Sequence, residues 1–163
     1  MNPLSSIPGA IISGVVLAII AFVIIPGGGF NELSLARWIH ILSGVMWIGL
    51  LYYFNVAQTP ALAAAAADKG GPGGAGITKY VAPRALLWFR WAAVATWLTG
   101  AWYLTRSGNF GGALKLGLGG DTVNLYQMTI GIGAWLGTIM LFNVWVFIWP
   151  NQKKILGIVP ATD

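Results

Sequence analysis

The sequence predicts an all-α fold, an integral membrane bundle of four transmembrane helices, and three observations lead there. Charged residues make up 8% of the 163 residues, against about 25% in a soluble domain. Mean hydropathy is +0.75. Four apolar segments approach or exceed the length of about 20 residues that a helix needs to cross a bilayer, and glycine- or proline-rich stretches separate them. The chain reads as a single membrane domain over residues 1–163.

The first segment covers residues 7–25 and stops at Pro26-Gly27-Gly28-Gly29. It lacks the basic n-region and the small-residue cleavage site of a signal peptide, so it is expected to be a retained helix. The second covers residues 33–57. The stretch that follows, TPALAAAAADKGGPGGAGITKY (59–80), starts as alanine-rich helix that prolongs the span and then becomes a flexible glycine linker. The third covers residues 82–104, with Pro83 in its first turn, where proline is tolerated. RSGNFGGALKLGLGGDT (106–122) reads as a glycine-rich loop, and the fourth segment covers residues 123–149, ending at Pro150.

Composition narrows the chemistry. With no cysteine there are no disulfides, thiolate metal sites, iron–sulfur clusters or covalently attached c-type haem. One histidine and four acids, Glu32, Asp68, Asp121 and Asp163, all in predicted loops or the tail, argue against a zinc or two-metal centre and against Ser-His-Asp chemistry. The net charge of +5 comes from cations scattered at helix ends, which is a signature of membrane orientation and not of a nucleic-acid platform. Lys69, Lys79, Arg84, Lys153 and Lys154 would lie on one side, and Arg37, Arg106 and Lys115 on the other. The excess predicts a multi-pass protein of the bacterial inner membrane with both termini in the cytoplasm. Trp38 and Trp102 would then mark the outer interface, and Trp88 and Trp149 the inner one.

Ionisable groups at membrane depth are candidates for function by default. The single histidine, His40, lies about two turns into the second span, on one stripe with Arg37 at i−3, Gly44 at i+4 and Trp47 at i+7. A flat macrocycle can use such a stripe: imidazole ligates iron, glycine admits close approach and arginine pairs with a propionate. The competing reading is that His40 hydrogen-bonds across helices and Gly44 is a packing notch. Arg90, inside the third span, is the second such group. It would differ from His40 in depth by roughly 15 Å. It is either a second propionate contact, an anchor hydrogen-bonded to Asn143 or Asn55, or a snorkelling cation.

Polar residues gather at the outer end. Asp121, Asn124, Gln127 and Thr99, with His40 and Arg37, either line an outward-facing pocket or serve as ordinary caps and solvated surface. Gly133 and Gly137 form a GxxxG pair, with Gly131 just before, a spacing that permits close helix contact within a bundle or between subunits. Met46 lies on a different helical face from His40, whereas Met128 and Met140 stay open as further haem ligands. A bis-histidine haem would need two protomers.

The stretches RWIHILSGVMWIGLLYYFNVAQTP (37–60) and RALLWFRWAAVATWLTG (84–100) resemble the urate oxidase N-terminal family, the membrane domain of PuuD-type urate hydroxylases. The pattern His40, Gly44, Trp47 and Gly49 (H-x-x-x-G-x-x-W-x-G) is also similar to that of HemJ-type protoporphyrinogen oxidases and CopD-like membrane proteins. In the HemJ family the histidine of the matching helix ligates haem b, so the resemblance implies that His40 is an axial ligand. The family's functional lysine on the third helix has no counterpart here; Arg90 is the nearest basic group.

The expected function is therefore a membrane haem-b-binding protein with a redox or electron-transfer role. Its metal ligand is His40, with Arg37, Gly44, Trp47 and Arg90 about the cofactor and a quinone or cytochrome as electron partner. The alternative is a cofactor-free accessory subunit of a homo-oligomer or larger membrane complex. A small-solute pathway is a third class, without the broken helices or inverted repeats of many transporters.

Overall fold

The structure is a computed structural model that describes residues 2–24 and 31–160. Among these residues the regular structure is helical, with no strand. The chain divides into two units, residues 1–32 and 33–163. The Pro26–Gly29 stop signal and Asp163 lie outside the described residues.

In the first unit, Asn2 caps a single 3₁₀ turn by accepting from the Leu4 amide at 2.9 Å. The Ser6 hydroxyl then accepts from the Gly9 amide at 3.2 Å. That bond serves the first turn of α1 (Ile7–Ile24), 18 residues with neither an acid in the first turn nor a base in the last. Its extent agrees with the expected first segment up to the last described residue.

The second unit contains α2 (Glu32–Tyr52), α3 (Thr59–Ala67), α4 (Ala82–Arg106), α5 (Phe110–Leu114), α6 (Leu125–Phe142) and α7 (Trp149–Ile155). Wide π turns at Tyr53–Gln58 and Asn143–Ile148 join α2 to α3 and α6 to α7, and a third at Ile77–Val81 leads into α4. Each π turn stands just before a proline in the first turn of the next helix: Pro60, Pro83 and Pro150. Proline has no amide hydrogen and crowds the carbonyl four residues earlier, and a π turn absorbs that mismatch without breaking the rod. Pro150 is therefore not the end of the fourth segment. The helix runs through it to Ile155, giving continuous rods of 36 residues (Glu32–Ala67) and 31 residues (Leu125–Ile155).

These two rods are long and apolar enough to cross a membrane. Helix α4, at 25 residues, has the length, but Arg84, Arg90 and Arg106 dilute its hydropathy. The core lies where Trp47 of α2, Phe89, Ala92 and Ala93 of α4, and Val144 of the last π turn meet. The two alanines let the helices close, and Phe54 and Phe89 meet edge to face at 5.6 Å between centroids. The outside is apolar too: only 6% of the apolar window of the first rod and 11% of the second is buried. Val45, Ile139 and Phe147 all point outward.

The stretch expected to be a glycine-rich loop contains α5, which folds back on α6. Gly131 makes this contact, because a Cβ there would collide with the Ala113 carbonyl. Gly117 turns with φ +69°, and its carbonyl accepts from the Asn124 amide at 3.0 Å. Trp135 Nε1 donates to the Leu114 carbonyl at 3.1 Å. Asn124 caps α6 by accepting from the Gln127 amide at 3.1 Å, the capping role its side chain favours.

Candidate functional site

Helix α2 directs the half-buried His40 ring at α4, where Nδ1 lies 2.8 Å from the Thr96 carbonyl oxygen. A carbonyl only accepts, so Nδ1 carries the proton and donates; in the neutral ring the lone pair is left on Nε2. The Thr99 hydroxyl donates chiefly to the Ala95 carbonyl at 2.6 Å and lies 3.1 Å from the Thr96 carbonyl. Room for the ring comes from Gly100, one turn further along α4. A Cβ there would sit 3.0 Å from His40 Cε1 and 3.2 Å from Nδ1. Gly44 does not perform this service: a Cβ on it would make ordinary contact with Thr96 Cγ2 at 3.7 Å.

His40 opens on a half-open cavity of about 490 Å³ lined by α2, α4, α5 and α6, within the range of about 300–1,000 Å³ usual for small-molecule sites. Its walls are mostly apolar. Arg37 sits on the wall one turn before His40; its Nη2 donates to the Tyr103 hydroxyl at 3.1 Å, and its guanidinium lies 5.3 Å from that ring's centroid. Buried Trp47 also lines the cavity, and its indole N–H has no partner among the described residues. Trp97 Nε1 donates to Thr138 Oγ1 at 2.8 Å, tying α4 to α6 across the floor. Phe110 and Leu114 bring α5 to the rim.

Gly133 and Gly137 form the α6 wall, and a Cβ on either would meet nothing within 4 Å. Within this chain the GxxxG pair therefore opens space, and the tight helix contact falls to Gly131. Among the described residues no carboxylate lines the cavity. No group of three or more His, Cys, Asp or Glu able to hold a metal ion occurs among the described residues. The donor set present, one oriented imidazole in an apolar slot with a guanidinium on the wall, fits an iron already chelated by a macrocycle. Neither Gly44, Met46, Met128 nor Met140 is on the wall.

The expected site residues thus separate. His40, Arg37 and Trp47 come together; Arg90 does not join them. Its buried guanidinium stacks 3.5 Å from the Trp149 ring centroid, and Nη1 donates to Gln152 Oε1 at 3.4 Å. Neither Asn143 nor Asn55 is its partner; Asn55 bonds back to the Leu51 carbonyl. The outer polar residues also divide. Asn124 and Gln127, with Lys115, line a second hollow of about 620 Å³, which Asp121 does not join. Thr96, Gly100 and Tyr103 are among the wall residues that the sequence did not single out. The Thr96–Gly100 spacing, a small residue every fourth position on the third helix, was their one signal. Compared with known protein families, curated proteins and solved structures, the chain has no match.

Proposed function

We propose that this chain is a multi-pass integral membrane protein that holds haem b in the His40 cavity and serves a redox or electron-transfer role. The observation that carries this reading is the His40–Thr96 bond of 2.8 Å within an apolar cavity. A ring nitrogen fixed by a backbone carbonyl presents its other nitrogen in a set direction, as metal-ligating histidines do. Thr96 orients the imidazole, Gly100 clears it, Arg37 would pair with a propionate, and Gly133 and Gly137 leave the α6 wall free of side chains. When bound, haem supplies a one-electron couple whose potential the axial ligand and the apolar surroundings tune. The resemblance to the urate oxidase N-terminal and HemJ/CopD-like families points the same way. A quinone or a cytochrome is the matching electron partner.

The membrane part of the proposal rests on the two long apolar rods and on their exposure. The core helix of a soluble protein is mostly buried, whereas these rods bury 6% and 11% of their apolar windows. With α1 and α4 added, four spans result, and the charge bias puts both termini in the cytoplasm of a bacterial cell. The same exposed faces also suit a cofactor-free accessory subunit of an oligomer or larger complex, the second reading.

An absorption spectrum of the detergent-purified protein, oxidised and dithionite-reduced, separates the two. A Soret band with near-stoichiometric haem b that His40→Ala removes without unfolding the protein is the expected result. Well-folded protein from its native membrane with no haem would refute the redox reading and leave the accessory one.

A further inference from the structure

The Arg90 cluster is chemically incomplete. Arg90 keeps 7% of its surface exposed, and its partners among the described residues are one 3.4 Å bond to Gln152 and the face of Trp149. Lys153 Nζ lies over the same indole ring, 5.7 Å from its centroid. Two cations thus share one aromatic ring, and no described carboxylate pairs with either. A buried guanidinium calls for a counter-charge, and an indole ring shared between two cations is a weak substitute for an anion.

We propose that Arg90 and Lys153 hold a phosphate group against the Trp149–Gln152 turn of α7. Guanidinium matches phosphate oxygens in a two-pronged fork, and the lysine adds a point charge from the helix end. The location suits a phosphate at a membrane interface. Arg84, six residues before Arg90 on α4, marks a level about 9 Å nearer the helix start, and Lys154 and Trp149 supply the basic and aromatic residues found at that depth. Basic pockets between helices on the cytoplasmic side take anionic head groups. The phosphate comes either from an anionic lipid or from free phosphate ion. This site is separate from the His40 cavity and independent of haem.

The test is thermal unfolding of the full-length protein in neutral detergent, titrated with phosphatidylglycerol, phosphatidylcholine or inorganic phosphate. Phosphatidylglycerol at saturation should raise the midpoint by about 5 °C, as expected for a ligand that binds only the folded state, and phosphatidylcholine should not. Lys153→Gln should weaken the apparent affinity about fivefold, as the loss of one basic residue near an anionic lipid surface does. Arg90→Gln should abolish the response, and Arg84→Gln should leave it intact. A response to phosphatidylglycerol alone identifies a lipid head group, and a response to inorganic phosphate as well identifies a free-phosphate site. If neither anion outdoes phosphatidylcholine, or Lys153→Gln responds like the wild type, the proposal is overturned. Lys153 is only half-buried at a helix end, so its variant decides even where Arg90→Gln does not fold.

Discussion

At His40 the decisive partner is on another helix. Its stripe with Arg37 and Trp47 was legible because all three lie on one face of one helix. The Thr96 carbonyl and Gly100 were not, because which residue of α4 faces His40 depends on the register between two helices. Single-sequence periodicity does not carry that register. Room for the His40 ring comes from Gly100, where a Cβ would stand 3.0 Å from the ring, whereas Gly44, expected to admit a macrocycle, faces Thr96, 3.7 Å from where its Cβ would stand. Overpacking costs about 1–3 kcal/mol, so Gly100→Ala should cut the haem retained per protein about fivefold or more. Gly44→Ala should leave it within about twofold, since its Cβ makes only ordinary contact. A pyridine haemochrome assay on both variants measures the difference. Arg90 was legible as an oddity, but its partners were not: Gln152 lies beyond the point where Pro150 was expected to end the helix, and Trp149 was read only as an interface marker.

Among the elements, α6 does two jobs with glycines of different kinds. Gly131 lets α5 approach, whereas Gly133 and Gly137 keep a wall open. A methyl at Gly131 meets the Ala113 carbonyl, so Gly131→Ala should destabilise the fold by about 1–3 kcal/mol, read as a lower thermal midpoint. Gly133→Leu meets open space and replaces a poor helix former with a good one, worth up to about 1 kcal/mol. It should leave the midpoint unchanged or higher while excluding haem. The opposite pattern would mean that Gly133 packs against something and that the cavity is not the binding site. The long helices were legible from their apolar runs. Five-residue α5 was not, since FGGAL is too short to show a period and its glycines read as loop. Nor was the passage of the helix through Pro150, because proline is a stop signal unless a π turn precedes it, and no composition marks a π turn.

For the whole molecule, the exposed apolar faces and the proposed sidedness of charge make a prediction about topology. The chain has no cysteine, so single cysteines can report position without a background. Ser107→Cys, in the loop between α4 and α5, should react with an impermeant maleimide in intact spheroplasts. Asp68→Cys, just after α3, should react only once the membrane is permeabilised. The reverse pattern would invert the orientation, and labelling of both sites in intact spheroplasts would rule out the crossing by α4. All-helical character was legible from composition. How the helices enclose a cavity was not, because it rests on α5 and on glycines whose neighbours are distant in sequence. The most direct measurement of the haem assignment is chemical rescue of His40→Gly, read by its reduced-minus-oxidised spectrum with and without added imidazole. A haem b signal lost in the variant and restored by imidazole is the predicted result. A signal that persists without imidazole, or a wild type that has none, would contradict it.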